Sequence, residues 1–292
     1  MMTETIPQPK RQSIGSTEMS YLDYGHGSST VVLLHATGFL PWLWHPIATT
    51  LAERHRVIVP ALYAHRQADP HQGGLGWLQL AEDLKQLCDG LNLTNIRFVG
   101  HSMGGAVATL AHTVCGLPAV KMVLIEPIFL PDGFYRFTMT VAQHPLASKA
   151  IKRRNLWRDH QEARQDFESK SFFQTWDKQI LALYVEHGLE VLDSQGVRLV
   201  CSPDQEAALF IGGSQYDPWP VLPRITCPTL VVEGQVSENR PWIDLKRVAS
   251  LIPKGRYTEV QGAGHLVPME KPRETAKLIQ AFFNTDPGVT GT

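Results

Sequence analysis

Short, continuously apolar runs alternate along the chain with longer stretches in which apolar positions recur every three or four residues. The runs at 19–24, 30–35, 56–59, 96–99, 121–125, 229–234 and 256–260 are rich in Val, Ile, Leu and Phe or in alternating β-formers, and each predicts a strand. Val31, Val32, Leu33 and Leu34 leave no polar face, the pattern of a strand covered on both sides. Trp77, Leu80, Leu84, Leu87 and Leu91 follow at intervals of three and four, the stripe of a helix lying on a sheet. Further helices are predicted over 47–54, over 241–252 and through Ala276, Ile279 and Phe283. Strand and helix alternating in this way imply a mainly parallel, helix-covered sheet that binds ligands at the carboxyl ends of its strands.

The alternation breaks between 127 and 227. Apolar spacing there is helical, and the stretch is dense in charge and in aromatics: Trp157, Phe167, Phe172, Phe173, Trp176 and Tyr184. The basic cluster Lys152-Arg153-Arg154 is followed by Asp159, Glu162, Asp166 and Glu168, a mixture that predicts a solvated helix face in preference to a membrane-surface patch. The chain therefore divides into a core of 1–126 and 228–286, an inserted helical unit of 127–227, and a flexible, turn-rich tail of 287–292.

Candidate chemistry gathers at one strand end. Ile96-Arg97-Phe98-Val99 runs into Gly100-His101-Ser102-Met103-Gly104-Gly105, and small residues suited to a helix follow. A serine at the tip of so tight a turn needs strained backbone, and its flanking glycines let strand and helix approach without a Cβ between them. The first N–H groups of the ensuing helix lack partners inside it, so the Met103 amide is aimed at any oxyanion formed beside Ser102. On these residues the chain resembles the α/β-hydrolase superfamily. The resemblance implies an α/β fold with a mainly parallel central sheet, an inserted helical cap over the nucleophile, and no cofactor. It also implies a second oxyanion donor in His35-Ala36-Thr37-Gly38-Phe39, assigned to the Thr37 amide, although Ala36 stands where the family carries glycine. Phe39, Trp42 and Trp44 come next and suggest an apolar pocket wall, with Phe39 and Trp42 as the substrate-binding candidates.

A serine hydroxyl is a weak nucleophile and needs a neutral imidazole that is itself oriented by a carboxylate. Of twelve histidines, His265 alone lies in a glycine-flanked loop after the last strand, Gln261-Gly262-Ala263-Gly264-His265, which closely resembles the family's late histidine loop. The carboxylate is less direct. Relatives most often carry an aspartate three residues after the glycine that closes strand 229–234, and here that position is Ser237. Glu238, one residue on, and Glu126, at the end of the strand after the serine turn, can substitute, with Glu233 a third candidate. Glu126 is favoured, because a strand end beside the nucleophile's strand fixes a carboxylate on the same sheet edge. Some members of the superfamily carry the acid there.

Bulk composition narrows the partners. Lys plus Arg number 27 against 28 Asp plus Glu, so nothing favours nucleic acid or another polyanion. The four cysteines are scattered without C-x-x-C spacing and the histidines show no H-E-x-x-H pattern, so no metal is expected. No apolar run is long enough to span a bilayer, and the first residues lack the apolar segment of a signal peptide, which makes a cytoplasmic location the expectation. The expected activity is that of a serine hydrolase cleaving a carboxylic ester or related acyl bond of a small molecule through an acyl-enzyme on Ser102. A thioesterase, a lactonase or a carbon–carbon hydrolase would use the same three residues. A non-catalytic ligand-binding protein on the same fold is the alternative from another class.

Overall fold

The computed structural model describes residues 5–193 and 196–285; the 287–292 tail lies outside the described residues. The strands are β1 (Lys10–Ile14), β2 (Thr17–Tyr24), β3 (Thr30–Leu34), β4 (Arg56–Pro60), β5 (Ile96–His101), β6 (Lys121–Ile125), β7 (Leu189–Leu192), β8 (Gly196–Leu199), β9 (Thr229–Gly234) and β10 (Gly255–Val260). Eight of them form one sheet in the order β1-β2-β4-β3-β5-β6-β9-β10, while β7 and β8 pair separately. Among the described residues, only the β1–β2 and β2–β4 pairings in the large sheet are antiparallel.

Helices α1 (His45–Ala52), α2 (Trp77–Gly90) and α3 (Met103–Thr113) cross between the early strands. The region between β6 and β9 holds α4 (Ala147–Ala150), α5 (His160–Glu168), α6 (Ser171–Gln174), α7 (Lys178–His187) and α8 (Pro203–Gly212). Helices α9 (Leu245–Leu251), α10 (Val267–Glu270) and α11 (Pro272–Asn284) complete the chain. Side-chain alternation divides each central strand between two layers. Val31 and Leu33 of β3, with Val123 and Ile125 of β6, join the cluster built with α1 and α11. Val32 and Leu34, with Met122 and Leu124, join the cluster built with α2 and α3. That double coverage is why these strands read as unbroken apolar runs. Lys121, the first residue of β6, is buried, and its Nζ donates to the carbonyl oxygens of Phe282 and Phe283 at 3.1 Å each. A cation thus meets the last carbonyls of α11, where the helix dipole favours it.

The structure departs from the sequence reading in definite places. β1 is an extra edge strand whose mostly exposed, polar residues gave no apolar run to read. The helix expected over 241–252 is shortened to Leu245–Leu251, because the Asp244 carboxylate caps it by accepting the Arg247 N–H at 2.9 Å. Residues 239–243 form turns instead, with the amides of Trp242 and Ile243 bonded to the Asn239 carbonyl. The inserted region is not wholly helical, since it contains the β7–β8 hairpin. The basic cluster is not a helix face either. Residues 151–153 form a turn, and Arg153 folds inward to donate to Glu206 Oε2 at 2.5 Å and to the Tyr184 hydroxyl at 3.0 Å. Trp44 is fully buried in the layer beneath the sheet with α1 and α11, so it lines no pocket. Among the described residues, no helix is long and apolar enough to cross a membrane.

Candidate active site

β5, β6 and β9 lie side by side in the sheet. At the end of β5 the chain turns so sharply that Ser102 takes φ 56°, ψ −119°, before α3 begins at Met103. A left-handed φ on a serine is costly, and the surroundings hold it. The Ser102 amide donates to the Ile125 carbonyl at 3.0 Å, tying the corner to the end of β6. The glycines are required by space. A Cβ on Gly100 would sit 2.4 Å from the Gly104 carbonyl oxygen, and one on Gly104 would sit 2.3 Å from the Leu34 carbonyl oxygen. α3 therefore packs directly on β3 and β5, with its first amides beside the serine.

One strand over, β6 ends in a second left-handed corner, Glu126 at φ 47°. Its amide bonds the Val232 carbonyl at 2.8 Å, and the residue is 2% exposed. Three donors converge on its carboxylate: the Gly234 N–H on Oε1 at 2.6 Å, the Ser237 hydroxyl on Oε2 at 2.8 Å, and His265 Nδ1 on Oε2 at 3.1 Å. His265 Nε2 stands 3.1 Å from Ser102 Oγ. The structure thus brings Ser102, His265 and Glu126 into one hydrogen-bonded line. Glu238 is exposed, and its Oε2 accepts the backbone N–H of His265 at 3.3 Å, away from the ring. Glu233 takes the Tyr257 hydroxyl and lies 3.3 Å from Arg240, so it is engaged elsewhere.

The ring of His265 is fixed by neighbours that sequence reasoning missed. The Asn239 amide also reaches Nδ1, at 2.9 Å. With the single ring proton on Nδ1 and donated to Glu126, Nε2 keeps the lone pair that faces Ser102. The Asn239 orientation compatible with that tautomer presents its oxygen to Nδ1. His101 Nε2–H donates to the His265 carbonyl at 2.9 Å, and the Gly264 amide donates to Glu270 Oε2 at 2.7 Å. Burial pushes the His101 pKa well below the usual value, and the neighbouring His265 lowers it further. Among the described residues His101 Nδ1 has no partner, as suits a neutral ring protonated on Nε2. No motif flags His101 or Asn239, because both act across the fold; Ser237 showed only as a missing aspartate.

The loop after β3 supplies the opposite wall. His35 Nδ1–H donates to the Ala36 carbonyl at 2.8 Å, and Nε2 accepts the Leu62 N–H at 2.9 Å. Burial pushes this imidazole down to about 4, so it is a neutral strut that sets the path of Thr37. Thr37 is buried beside Gly38, whose φ of 73° turns the loop, and the Phe39 amide closes the turn on the Ala36 carbonyl at 3.1 Å. Phe39 stacks near His101, centroids 6.3 Å apart, and meets Trp176 of the inserted region edge-on at 5.3 Å. Trp42 lies flat against His187, centroids 5.1 Å apart, farther along the same seam. Phe172 is half exposed at its rim and 6.5 Å from Phe39. Among the described residues, no group of three or more His, Cys, Asp or Glu side chains could hold a metal ion.

A parallel sheet covered on both faces, with a serine on a left-handed strand-to-helix corner facing an imidazole, defines the α/β-hydrolase architecture. The chain belongs to the alpha/beta hydrolase family, whose model matches residues 31–278. Abhydrolase domain-containing protein ACTT2 of Alternaria alternata is 30% identical over 227 residues, covering 64% of this chain and 82% of that protein. Among solved structures, an E-2-(acetamidomethylene)succinate hydrolase superposes with a TM-score of 0.79 at 20% identity, covering 95% of this chain and 99% of that one. The enol-lactonase from Burkholderia xenovorans superposes with a TM-score of 0.73 at 19% identity, covering 94% and 100% respectively.

Proposed function

We propose that the protein is a serine hydrolase acting on a carboxylic ester or related acyl bond, with Ser102 as nucleophile, His265 as base and Glu126 as the acid that orients it. The observation that carries this reading is the line Ser102 Oγ, His265 Nε2, His265 Nδ1, Glu126 Oε2, with both hydrogen bonds at 3.1 Å. Ser102 Oγ attacks the acyl carbon while its proton passes to His265 Nε2. Glu126 stabilises the imidazolium that results. The amides of Met103 and Thr37 receive the negative charge on the former carbonyl oxygen. The tetrahedral intermediate collapses, the leaving group takes the proton from His265, and an acyl-Ser102 ester remains. Water, deprotonated by the same nitrogen, then releases the acid and restores the serine.

The inserted region 127–227 acts in this reading as a cap, and the seam of Phe39, Trp42, Phe172 and Trp176 favours an apolar acyl or alcohol group. The likeness to an enol-lactonase and to an (acetamidomethylene)succinate hydrolase supports extending the reading to other acyl carbonyls, lactones among them. Four unpaired cysteines suit a reducing, cytoplasmic setting. Two measurements test the proposal together: labelling by a fluorophosphonate, and turnover of p-nitrophenyl esters of graded chain length. Stoichiometric modification at Ser102, lost in Ser102→Ala, with turnover that rises with acyl length, is expected. An unreactive Ser102 would identify a ligand-binding protein that lacks turnover.

A further inference from the structure

We propose that Glu206 is a positioning residue for the oxyanion loop, and that Arg153 cancels the charge this carboxylate would otherwise set against the oxyanion. The proposal rests on the reading given above, with Ser102 as nucleophile and the Thr37 amide as an oxyanion donor. Residues 36–39 form a turn closed by the Phe39 amide on the Ala36 carbonyl, and Gly38 at φ 73° makes its second corner left-handed. The turn is closed through Phe39 and not through Thr37, so the aim of the Thr37 amide depends on what braces the loop from outside. His35 braces it from the core. From the inserted region Glu206 braces it at Gly38, where a Cβ would stand 2.5 Å from Glu206 Oε1 and 2.8 Å from its Cδ. The hydrogen that glycine carries in that direction is pressed against the carboxylate, a steric stop and a weak C–H···O contact at once.

Glu206 can act as a stop because it is itself held. Its helix, α8, belongs to the inserted region in chain order but is fastened to the core. The Leu75 amide donates to the Ala208 carbonyl at 3.0 Å, Trp77 Nε1 to the Leu209 carbonyl at 2.9 Å, and Gln205 Nε2 to the Tyr63 carbonyl at 3.1 Å. The second carboxylate oxygen is fixed by Arg153, whose Nη1 donates to Oε2 at 2.5 Å while its Nη2 donates to the Tyr184 hydroxyl at 3.0 Å. The Glu206 side chain is 13% exposed, so water screens it poorly. An unpaired anion one residue from Thr37 would oppose the negative charge that forms on the substrate oxygen. The guanidinium removes that opposition and leaves the shape of the carboxylate in place behind the loop.

Steady-state kinetics on one p-nitrophenyl ester, inhibition by an alkyl trifluoromethyl ketone and fluorophosphonate labelling test this, with thermal unfolding of each variant. Ser102 Oγ adds to the ketone carbon while the serine proton passes to His265, so the affinity of the ketone reports on the oxyanion site itself. Loss of a whole oxyanion donor costs about 10² to 10³ in kcat, and loss of the brace behind one is expected to cost about tenfold to thirtyfold. Glu206→Ala should lower kcat by that factor with KM within about twofold, and should weaken the ketone equally. Glu206→Gln, which keeps the shape and an acceptor for Arg153, should stay within about threefold of wild type. Arg153→Met, which leaves the carboxylate unpaired, should lose at least about tenfold in kcat, and Arg153→Met combined with Glu206→Gln should regain most of that loss. A folded Glu206→Ala with wild-type ketone affinity, or a folded double variant no faster than Arg153→Met, overturns the proposal. Should one of Glu206→Ala and Arg153→Met fail to fold, the other decides. A wild-type Ser102 that takes no label overturns the hydrolase reading itself and this proposal with it; a reactive wild type beside an unaffected Glu206→Ala overturns this proposal alone.

Discussion

Replacing Glu126 by glutamine changes one oxygen to an NH2 group in a site where three donors already converge. The glutamine has one acceptor for them, and the Gly234 N–H is the shortest and most rigid claim on it, at 2.6 Å. The amide nitrogen then faces both the Ser237 hydroxyl and His265 Nδ1. A donor against Nδ1 moves the ring proton to Nε2, the atom 3.1 Å from Ser102 Oγ, and removes the lone pair that would accept the serine proton. The analogous carboxylate-to-amide change in serine proteases lowers kcat about 10⁴-fold through the wrong tautomer, so a loss of about 10³ to 10⁴ in kcat/KM is expected here. That is about 4 to 5.5 kcal/mol of transition-state stabilisation. Glu238→Gln keeps a carbonyl to accept the His265 backbone N–H and should stay within about threefold of wild type. Steady-state hydrolysis of a p-nitrophenyl ester, with circular dichroism to verify folding, measures both. If Glu126→Gln retained a tenth or more of wild-type activity, or if Glu238→Gln fell as far, the acid would stand elsewhere.

Two further outcomes concern stability. Gly104→Ala places a Cβ 2.3 Å from the Leu34 carbonyl oxygen and should cost more than about 3 kcal/mol in urea denaturation, whereas Gly116→Ala, with open space but φ 70°, should cost about 1 kcal/mol. Equal losses would show that the corner's packing is softer than these distances imply. Burial pushes the Asp83 carboxylate up, but hydrogen bonds from Arg66, at 2.6 and 2.7 Å, and from His65, at 2.9 Å, outweigh it and hold the pKa down at about 2. A depressed carboxylate pKa stabilises the fold above its unfolded value and loses that contribution as pH falls through the folded one. The stability gap between wild type and Asp83→Asn should therefore shrink by about 2 kcal/mol between about pH 5 and pH 2, and a gap constant over that range would contradict the assignment.

What the sequence made legible was whatever one segment must do by itself. The serine corner could be read because Gly100 and Gly104 are demanded by the local crossing of β5 and α3, and the late histidine because its glycines mark a turn. Glu126 could be placed because a strand's end is visible where its apolar run stops. The hairpin β7–β8 could not, since its short strands sit among helical spacing and expose Glu190, Val191 and Arg198. Arg153 was misread for a related reason. Its charged surroundings in sequence suggested solvent, whereas Glu206, which pairs with it, lies 53 residues away. Ser237, Asn239 and His101 carry no local signature because their partners lie across the sheet edge.

Lys121 gives the final helix a reach beyond its own length. The ammonium is sheathed by the closing turn of that helix, and shearing the chain before Phe282 would take from it the carbonyl acceptors of Phe282 and Phe283. The disturbance would enter at the first residue of a five-residue strand whose far end delivers Glu126. Trimming the carboxyl terminus should thus be felt at the opposite edge of the sheet, as slackened aim of a side chain that the removed residues never touch.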